Sequence, residues 1–309
     1  AMQWKYYMIC RCSGVVWHGA EWRGAVCKGG EMRARTRLRT VAVVIGVAAA
    51  AAAEAVDGRW VSDPWNGAAV WVESTAADIG VSWSGAAEDG KAAGEGVLAV
   101  FFSGRAIARY EGTMRAGRPD GLGRLETFSG DRPVVFEGAL VAGRLQGKGR
   151  MRFPDGSTYT GDFAQDVAEG EGMYETPAGA LYRGAVKSWL PQGRGYLSNP
   201  AAGETFLGEF AAGKKHGAGV LYIDALGKFE GTFANGQATG RGTFTSLDGY
   251  AITGEVSGGD FVGECVLATP GGGRYVGALR NGVPDGEVLY TGPDGAREKL
   301  VFHDGRRQP

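Results

Sequence analysis

One phrase organises this 309-residue chain: YTGDFAQDVAEGEG, at residues 159–172. It recurs as an aromatic-x-Gly-x-apolar opening, a Gly three residues on, then Gly-x-Gly. The openings stand at Tyr110, Phe136, Tyr159, Tyr182, Phe206, Phe229, Ile252 and Tyr275. They are 23 residues apart five times, 24 once and 26 once. A fixed period of this size means a supersecondary unit stacked on its neighbours, which settles the fold class before any other argument.

The spacing within one repeat specifies a β-hairpin. Side chains alternate along a strand, so positions 1, 3 and 5 share a face. Seven openings therefore set a ring beside a glycine: Tyr110 with Gly112, Phe136 with Gly138, Tyr159 with Gly161, Tyr182 with Gly184, Phe206 with Gly208, Phe229 with Gly231 and Tyr275 with Gly277. Glycine in a strand lets a ring lie against backbone. Asn235-Gly236 and Asn281-Gly282 supply residues that tolerate positive φ in tight turns. Pro119-Asp120-Gly121, Pro154-Asp155-Gly156, Pro284-Asp285-Gly286 and Pro293-Asp294-Gly295 also read as turns. The expected architecture is all-β: an elongated, solenoid-like, single-layer antiparallel sheet of consecutive hairpins. At roughly 4.8 Å per strand, each hairpin advances it by about 10 Å.

These repeats resemble MORN repeats, which run Tyr-x-Gly-x-aromatic, Gly, Gly-x-Gly. The resemblance covers residues 83–309, about eight to nine repeats. It implies a scaffold rather than one activity, since such repeats occur on otherwise unrelated proteins. It also suggests membrane binding, from the property the family is named for.

Ahead of the repeats, Arg33, Arg35, Arg37 and Arg39 precede an apolar run from Val41 to Ala53, and Ala53-Glu54-Ala55 fits a small-residue cleavage site. The three parts make residues 32–55 a secretory signal peptide, and the 13-residue run is short for a membrane span of about 20. Residues 1–31 then read as a non-native extension upstream of a start at Met32. The expected location is periplasmic or secreted, in a bacterial envelope. Beyond residue 55 the chain holds 25 basic and 31 acidic residues, net −6, and one cysteine, Cys265. A lone thiol forms no internal disulfide. Cys265 stands where other repeats have the second Gly of Gly-x-Gly, so it reads as a small sheet residue.

Residues 56–82 carry Trp60, Trp65 and Trp71 and read as a hydrophobic cap on the first sheet edge. Two repeats depart at position 8, where Asp166 and Trp189 replace glycine. Trp189-Leu190-Pro191 reads as an exposed apolar turn, Glu298 to Gly305 as a closing half repeat, and Arg306 to Pro309 as a frayed tail.

Catalytic chemistry finds little material. His216 and His303 lie in different repeats, too far apart to share a metal. Glu169 and Glu171 read as solvated turn residues rather than an acid–base pair. The Gly-x-Gly strings lack the βαβ setting of a nucleotide site, so no cofactor is expected. The overall acidity speaks against nucleic acid. Residues 105–155 hold 10 basic and 6 acidic residues, a local excess. Arg115, Arg118, Arg124, Arg144, Lys148, Arg150 and Arg152 are the candidates there for contact with anionic lipid or an acidic partner. The leading expectation is a non-catalytic module that binds a partner protein or itself through its sheet. A peripheral lipid binder comes second and a cell-wall enzyme third.

Overall fold

A computed structural model describes residues 57–128, 130, 132–280 and 283–309. The signal-peptide segment 32–55, residues 1–31 and the Asn281-Gly282 turn lie outside the described residues. The described chain is all-β apart from a short 3-10 turn at Pro200–Ala202, and it divides into two compact units.

The N-terminal unit comprises residues 57–177 and 185–189. A first hairpin, β1 (Arg59–Ser62) and β2 (Ala69–Val72), precedes β3 (Ile79–Trp83) and the short β4 (Ala86–Glu88). The repeating part follows as β5 (Lys91–Phe102), β6 (Arg105–Arg115), β7 (Arg118–Thr127), β8 (Val134–Val141), β9 (Arg144–Arg152), β10 (Thr158–Ala164) and β11 (Val167–Glu175). Each of these pairs antiparallel with the next, from β5 to β11.

The C-terminal unit comprises residues 178–184 and 190–309. Strand β12 (Leu181–Lys187) runs into the turn at Ser188-Trp189. Then come β13 (Leu190–Asn199), β14 (Glu204–Ala211), β15 (Lys214–Ile223), β16 (Gly227–Ala234), β17 (Gln237–Ser246) and β18 (Ala251–Ser257). The unit ends with β19 (Asp260–Ala268), β20 (Arg274–Arg280), β21 (Val283–Thr291), β22 (Arg297–His303) and β23 (Arg306–Arg307). From β13 to β23 each strand again pairs antiparallel with the next.

The hairpin turns follow one design. Both turn residues have positive φ at Ala116-Gly117, Ala142-Gly143, Ala212-Gly213 and Asn235-Gly236, the geometry that matches the twist of the flanking strands. The second residue's N–H leaves the hairpin. Gly117 donates to the Ala92 carbonyl at 2.9 Å, Gly143 to Pro119 at 2.7 Å and Gly236 to Lys215 at 2.9 Å. Each turn is thereby tied to the strand of the hairpin before it.

Several turn expectations need correction. Pro154-Asp155-Gly156 and Pro293-Asp294-Gly295 are turns, but Pro119-Asp120-Gly121 lies in β7 and Pro284-Asp285-Gly286 in β21. At the first of these the chain has already reversed at Ala116-Gly117, so Pro119 lies in the returning strand instead. Glu169 and Glu171 sit exposed on β11 rather than in a turn. The tail is also ordered into the sheet: Arg307 pairs with Phe302 and bridges Glu298 at 2.7 Å, and Gln308 N–H donates to Val301.

One face of the sheet carries the core. Tyr110, Phe136, Phe206 and Phe229 are fully buried there, each lying over its repeat's glycines. A Cβ on Gly161 would stand 2.5 Å from the Glu171 carbonyl oxygen, and one on Gly208 2.5 Å from Phe206 Cζ. The rings of successive repeats meet edge to face: Phe136 and Phe163 at 5.1 Å, Phe206 and Phe233 at 4.8 Å. Where the opening aromatic becomes Ile252, the glycine partner becomes the buried Cys265, whose Sγ fills the space above Gly254. Cys265 is the one free cysteine among the described residues, and burial pushes its thiol pKa up. At Tyr275 the second glycine is Val288, and the ring leans on Tyr290 instead, 4.6 Å away.

Candidate interaction surface

With the core face closed by its own rings, the opposite face remains open to solvent. It is read across strands by following the register at position 2 of each repeat. In the N-terminal unit that row runs Glu111, Arg124, Glu137, Arg150, Thr160 and Met173. Charges of opposite sign alternate, and they pair locally. Arg124 reaches both Glu126 and Glu137, Arg109 binds Glu111 at 3.0 Å, and Lys148 binds Asp162 at 2.7 Å. The Lys148 ammonium is the main cause holding the Asp162 carboxyl below its usual range.

In the C-terminal unit the same row starts Tyr196, Leu207, Val220 and Glu230. It goes on through Thr243, Thr253, Val266, Val276 and Leu289. Glu230 is its one charge before the end at Lys299. Leu207 is 52% exposed, Tyr222 in the adjoining row 46%, and Leu289 37%. The Thr243 and Thr253 hydroxyls bond one another at 2.8 Å across strands. Large apolar side chains set side by side on an exposed sheet face are a surface that gains by being covered.

The structure distributes the seven basic candidates among three settings. Arg124, Lys148, Arg150 and Arg152 are exposed on β7 and β9, and Arg150 and Arg152 have no ion-pair partner among the described residues. Arg115 projects from the end of β6, 3.8 Å from Asp120. Arg118 and Arg144 turn instead toward the first hairpin. The Arg118 guanidinium stacks over Trp71, 4.8 Å from the ring centre.

Arg144 joins two acids, Glu73 at 2.7 Å and Asp166 at 2.7 Å. Asp166 is buried, and its other oxygen accepts the Leu145 N–H at 2.7 Å. Burial pushes its carboxyl up to about 6, and the hydrogen bonds from Arg144 and Leu145 act against that rise. These bonds explain why an acid can replace glycine at this turn, where φ is +70°. No local pattern signals the partnership, because Glu73 and Arg144 stand 71 residues apart.

Two further corrections concern tryptophan. Trp189 is half-buried rather than exposed, with its ring 5.5 Å from Tyr159 and 5.8 Å from Phe163. That packing fixes its positive φ of 66°. The three tryptophans of residues 56–82 do not form a common apolar plug. Trp65 is 90% exposed, while Trp60 and Trp71 meet edge to face at 5.4 Å. The edge of β3 is met by polar side chains instead. Asp63 accepts the Trp83 N–H at 2.6 Å, and Asn66 donates to the Trp83 carbonyl at 2.7 Å. Burial raises the Asp63 carboxyl pKa, but the backbone N–H bonds from Trp83, Trp65 and Asn66 outweigh it and hold it below the ordinary value.

His216 and His303 are both exposed and sit on different hairpins, β15 and β22. Among the described residues no group of three His, Cys, Asp or Glu side chains is placed to hold a metal.

The family description "MORN repeat" matches residues 110–132, 136–158, 159–180, 206–224, 229–249 and 275–297. No curated protein matches the chain. Among solved structures, one similar chain is the SAS-4 (dCPAP) TCP domain in complex with a proline-rich motif of Ana2 (dSTIL), from Drosophila melanogaster. It is 11% identical, covers 50% of this chain and 83% of its own, and superposes with a TM-score of 0.34. So low a score carries no argument about function.

Proposed function

The chain is a MORN-repeat protein, and from that premise we propose that it is a non-catalytic scaffold that holds a protein partner on the open face of its sheet. One observation carries the reading. The core face is closed by rings over glycines, whereas the open face of the C-terminal unit leaves Leu207 and Tyr222 about half exposed, with Val220 opposite Leu207 and two residues from Tyr222 on the same strand. Export through residues 32–55 belongs to the same proposal, and a mature N-terminus after Ala55 is its expected sign in intact-mass measurement. To test the binding reading, Leu207 and Val220 are replaced by photo-crosslinking residues in the full chain and irradiated in cells. Discrete protein adducts at these positions, absent when the probe sits at Leu122 of the charged unit, support it. Adducts of equal yield at all three positions overturn it.

A second reading rests on Arg150 and Arg152, exposed neighbours without ion-pair partners among the described residues. With Arg115 and Lys148 they offer sites for anionic lipid headgroups. Co-sedimentation with phosphatidylserine vesicles, lost on replacing Arg150 and Arg152 by Glu, is its expected outcome. Binding unchanged by that replacement would end it.

A further inference from the structure

We propose that the hairpin β1–β2 is a strap laid across the turns of the first repeats, and that Glu73, Arg144 and Asp166 form its proton-operated latch, fastened while Asp166 holds a proton and eased when it ionises.

The strap reads the turns by a match of spacings. Ala69 N–H donates to the Gly90 carbonyl at 2.9 Å, and Trp71 N–H donates to the Gly117 carbonyl at 2.9 Å. Gly90 and Gly117 are the second turn residues of successive hairpins, so two residues of extended strand cover one repeat. The next such step leads to Glu73, whose carboxylate meets Arg144, the residue after the third turn at Ala142-Gly143. A cation follows each of the three turns and takes a side chain of the hairpin segment. Lys91 lies 4.9 Å from the centre of a Trp60 ring, Arg118 4.8 Å from that of Trp71, and Arg144 2.7 Å from Glu73. Val70 and Val72, between these contacts, are 1% exposed. A two-stranded hairpin is marginal on its own, so the contacts with the turns hold it in place. Residues Ser74 to Asp78 join it to β3 without strand structure. Release of β2 would bare Val70, Val72 and the carbonyls of Gly90 and Gly117.

The third fastening differs from the others in its chemistry. One cation serves two carboxylates: Arg144 holds Glu73 and the buried Asp166, each at 2.7 Å. With Asp166 ionised the cluster carries a net negative charge. With Asp166 neutral, the charge of Arg144 is left to Glu73, and the cluster is balanced. The charges facing Asp166 are Arg144 from β9 and Glu73 from the strap, and the neighbouring turn residues Gln165, Ser188 and Trp189 carry none. The described residues of the N-terminal unit include no histidine. Asp63, which ties the tip of the hairpin to Trp83, has its carboxyl held below the ordinary value and stays charged above it. Burial is the main cause that pushes the Asp166 carboxyl up to about 6. The charge of Glu73 adds to the rise, against Arg144 and the Leu145 N–H. An open strap withdraws Glu73 and returns water to Asp166, which lowers its affinity for the proton. The proton therefore favours the closed strap, and its contribution is lost as pH rises through about 6. With the open-state value in the ordinary carboxylate range, opening becomes about tenfold more frequent between pH 5 and pH 7 and then levels off.

Amide hydrogen exchange of the full chain, resolved by residue and corrected for the intrinsic effect of pH on exchange, reads the strap directly. The amides of Ala69 and Trp71 should open about tenfold more often at pH 7 than at pH 5. Asp166→Asn keeps this position neutral at every pH. It should hold at pH 7 the low opening that the parent shows at pH 5, with no step between them. A purely supporting ion pair gives the opposite sign, because the substitution then removes a partner of Arg144 and raises opening at both pH values. That outcome would overturn the latch. Glu73→Gln should raise opening at pH 5 and move the step to lower pH, and a step left in place by both substitutions would also overturn it. Circular dichroism checks that each variant keeps the fold. Ala69 and Trp71 amides that open no more often than those of β7 and β8 at both pH values would reject the strap as a separate element.

Discussion

The two units use the same hairpin and differ on the side that the hairpin does not fix. On the core face the constraint is common: a ring needs a glycine beneath it, whether the ring is Phe136 in one unit or Phe229 in the other. On the open face the row that reads Glu111, Arg124, Glu137, Arg150 in the N-terminal unit reads Thr243, Thr253, Val266, Val276 in the C-terminal unit. The first row is charged and exposed, with Arg124 bridging Glu137 across strands and Arg109 holding Glu111 along one strand. The second keeps apolar area in water. The fold therefore leaves one face free to vary, and in the C-terminal unit that face carries apolar side chains in place of charges. Their buried charges differ as well. The N-terminal unit clamps Arg144 between Glu73 and Asp166, whereas the C-terminal unit buries the pair Lys215 and Glu204 at 3.0 Å.

The largest test asks whether the core faces are equivalent. Phe136→Ala and Phe229→Ala should each cost about 3–5 kcal/mol in denaturant unfolding. A loss in one unit only would break the comparison at its base. Next is the buried pair. Lys215→Ala leaves the buried Glu204 carboxylate without its partner and should cost roughly 3 kcal/mol. Lys215→Met combined with Glu204→Leu should come out near neutral or more stable, since the desolvation of two charges is removed with their attraction.

The third test separates the units by pH. Asp166 has its folded pKa raised from 3.8 to about 6, so the folded state binds that proton more tightly than the unfolded one. Its contribution is fully present below the unfolded value and is lost as pH rises through about 6, by on the order of 1–3 kcal/mol. Asp166→Asn should flatten the stability profile between these limits for the N-terminal unit. An unchanged profile would show that Arg144 compensates the burial. The smallest effect belongs to the exposed ladder. Arg124→Ala should change stability by about 1 kcal/mol or less, shrinking further in high salt.

Much of this was readable from the repeat. The period, the hairpin, the ring-over-glycine packing and the replacement of glycine by Cys265 all follow from residue spacing, because they are contacts within one repeat or with the next. The misread turns have a local cause. Pro119-Asp120-Gly121 has turn chemistry, but Ala116-Gly117 had already made the reversal, and alanine advertises no positive φ. The Glu73–Arg144–Asp166 contact was not legible, since nothing in a 23-residue period points to an acid upstream of the repeats. Trp71 under Arg118 was missed for the same reason. The apolar stripe was legible in principle. Leu207 and Val276 stand at position 2, where Glu111 and Glu137 stand earlier. The stripe escapes the motif, because position 2 is one of the positions the repeat leaves undefined.

The turn amides lead to one more consequence. Gly117, Gly143, Gly213 and Gly236 each bond back to the hairpin before them, and from β13 to β23 each strand pairs with its immediate neighbours in the chain. Under tension such a structure has no single point of failure. It yields hairpin by hairpin, each release paying out the slack of about 23 residues, or roughly 80 Å of extended chain. Its response to load would be a staircase of small ruptures, each able to reclose against the neighbour left standing. A tether built this way absorbs a pull and recovers its length.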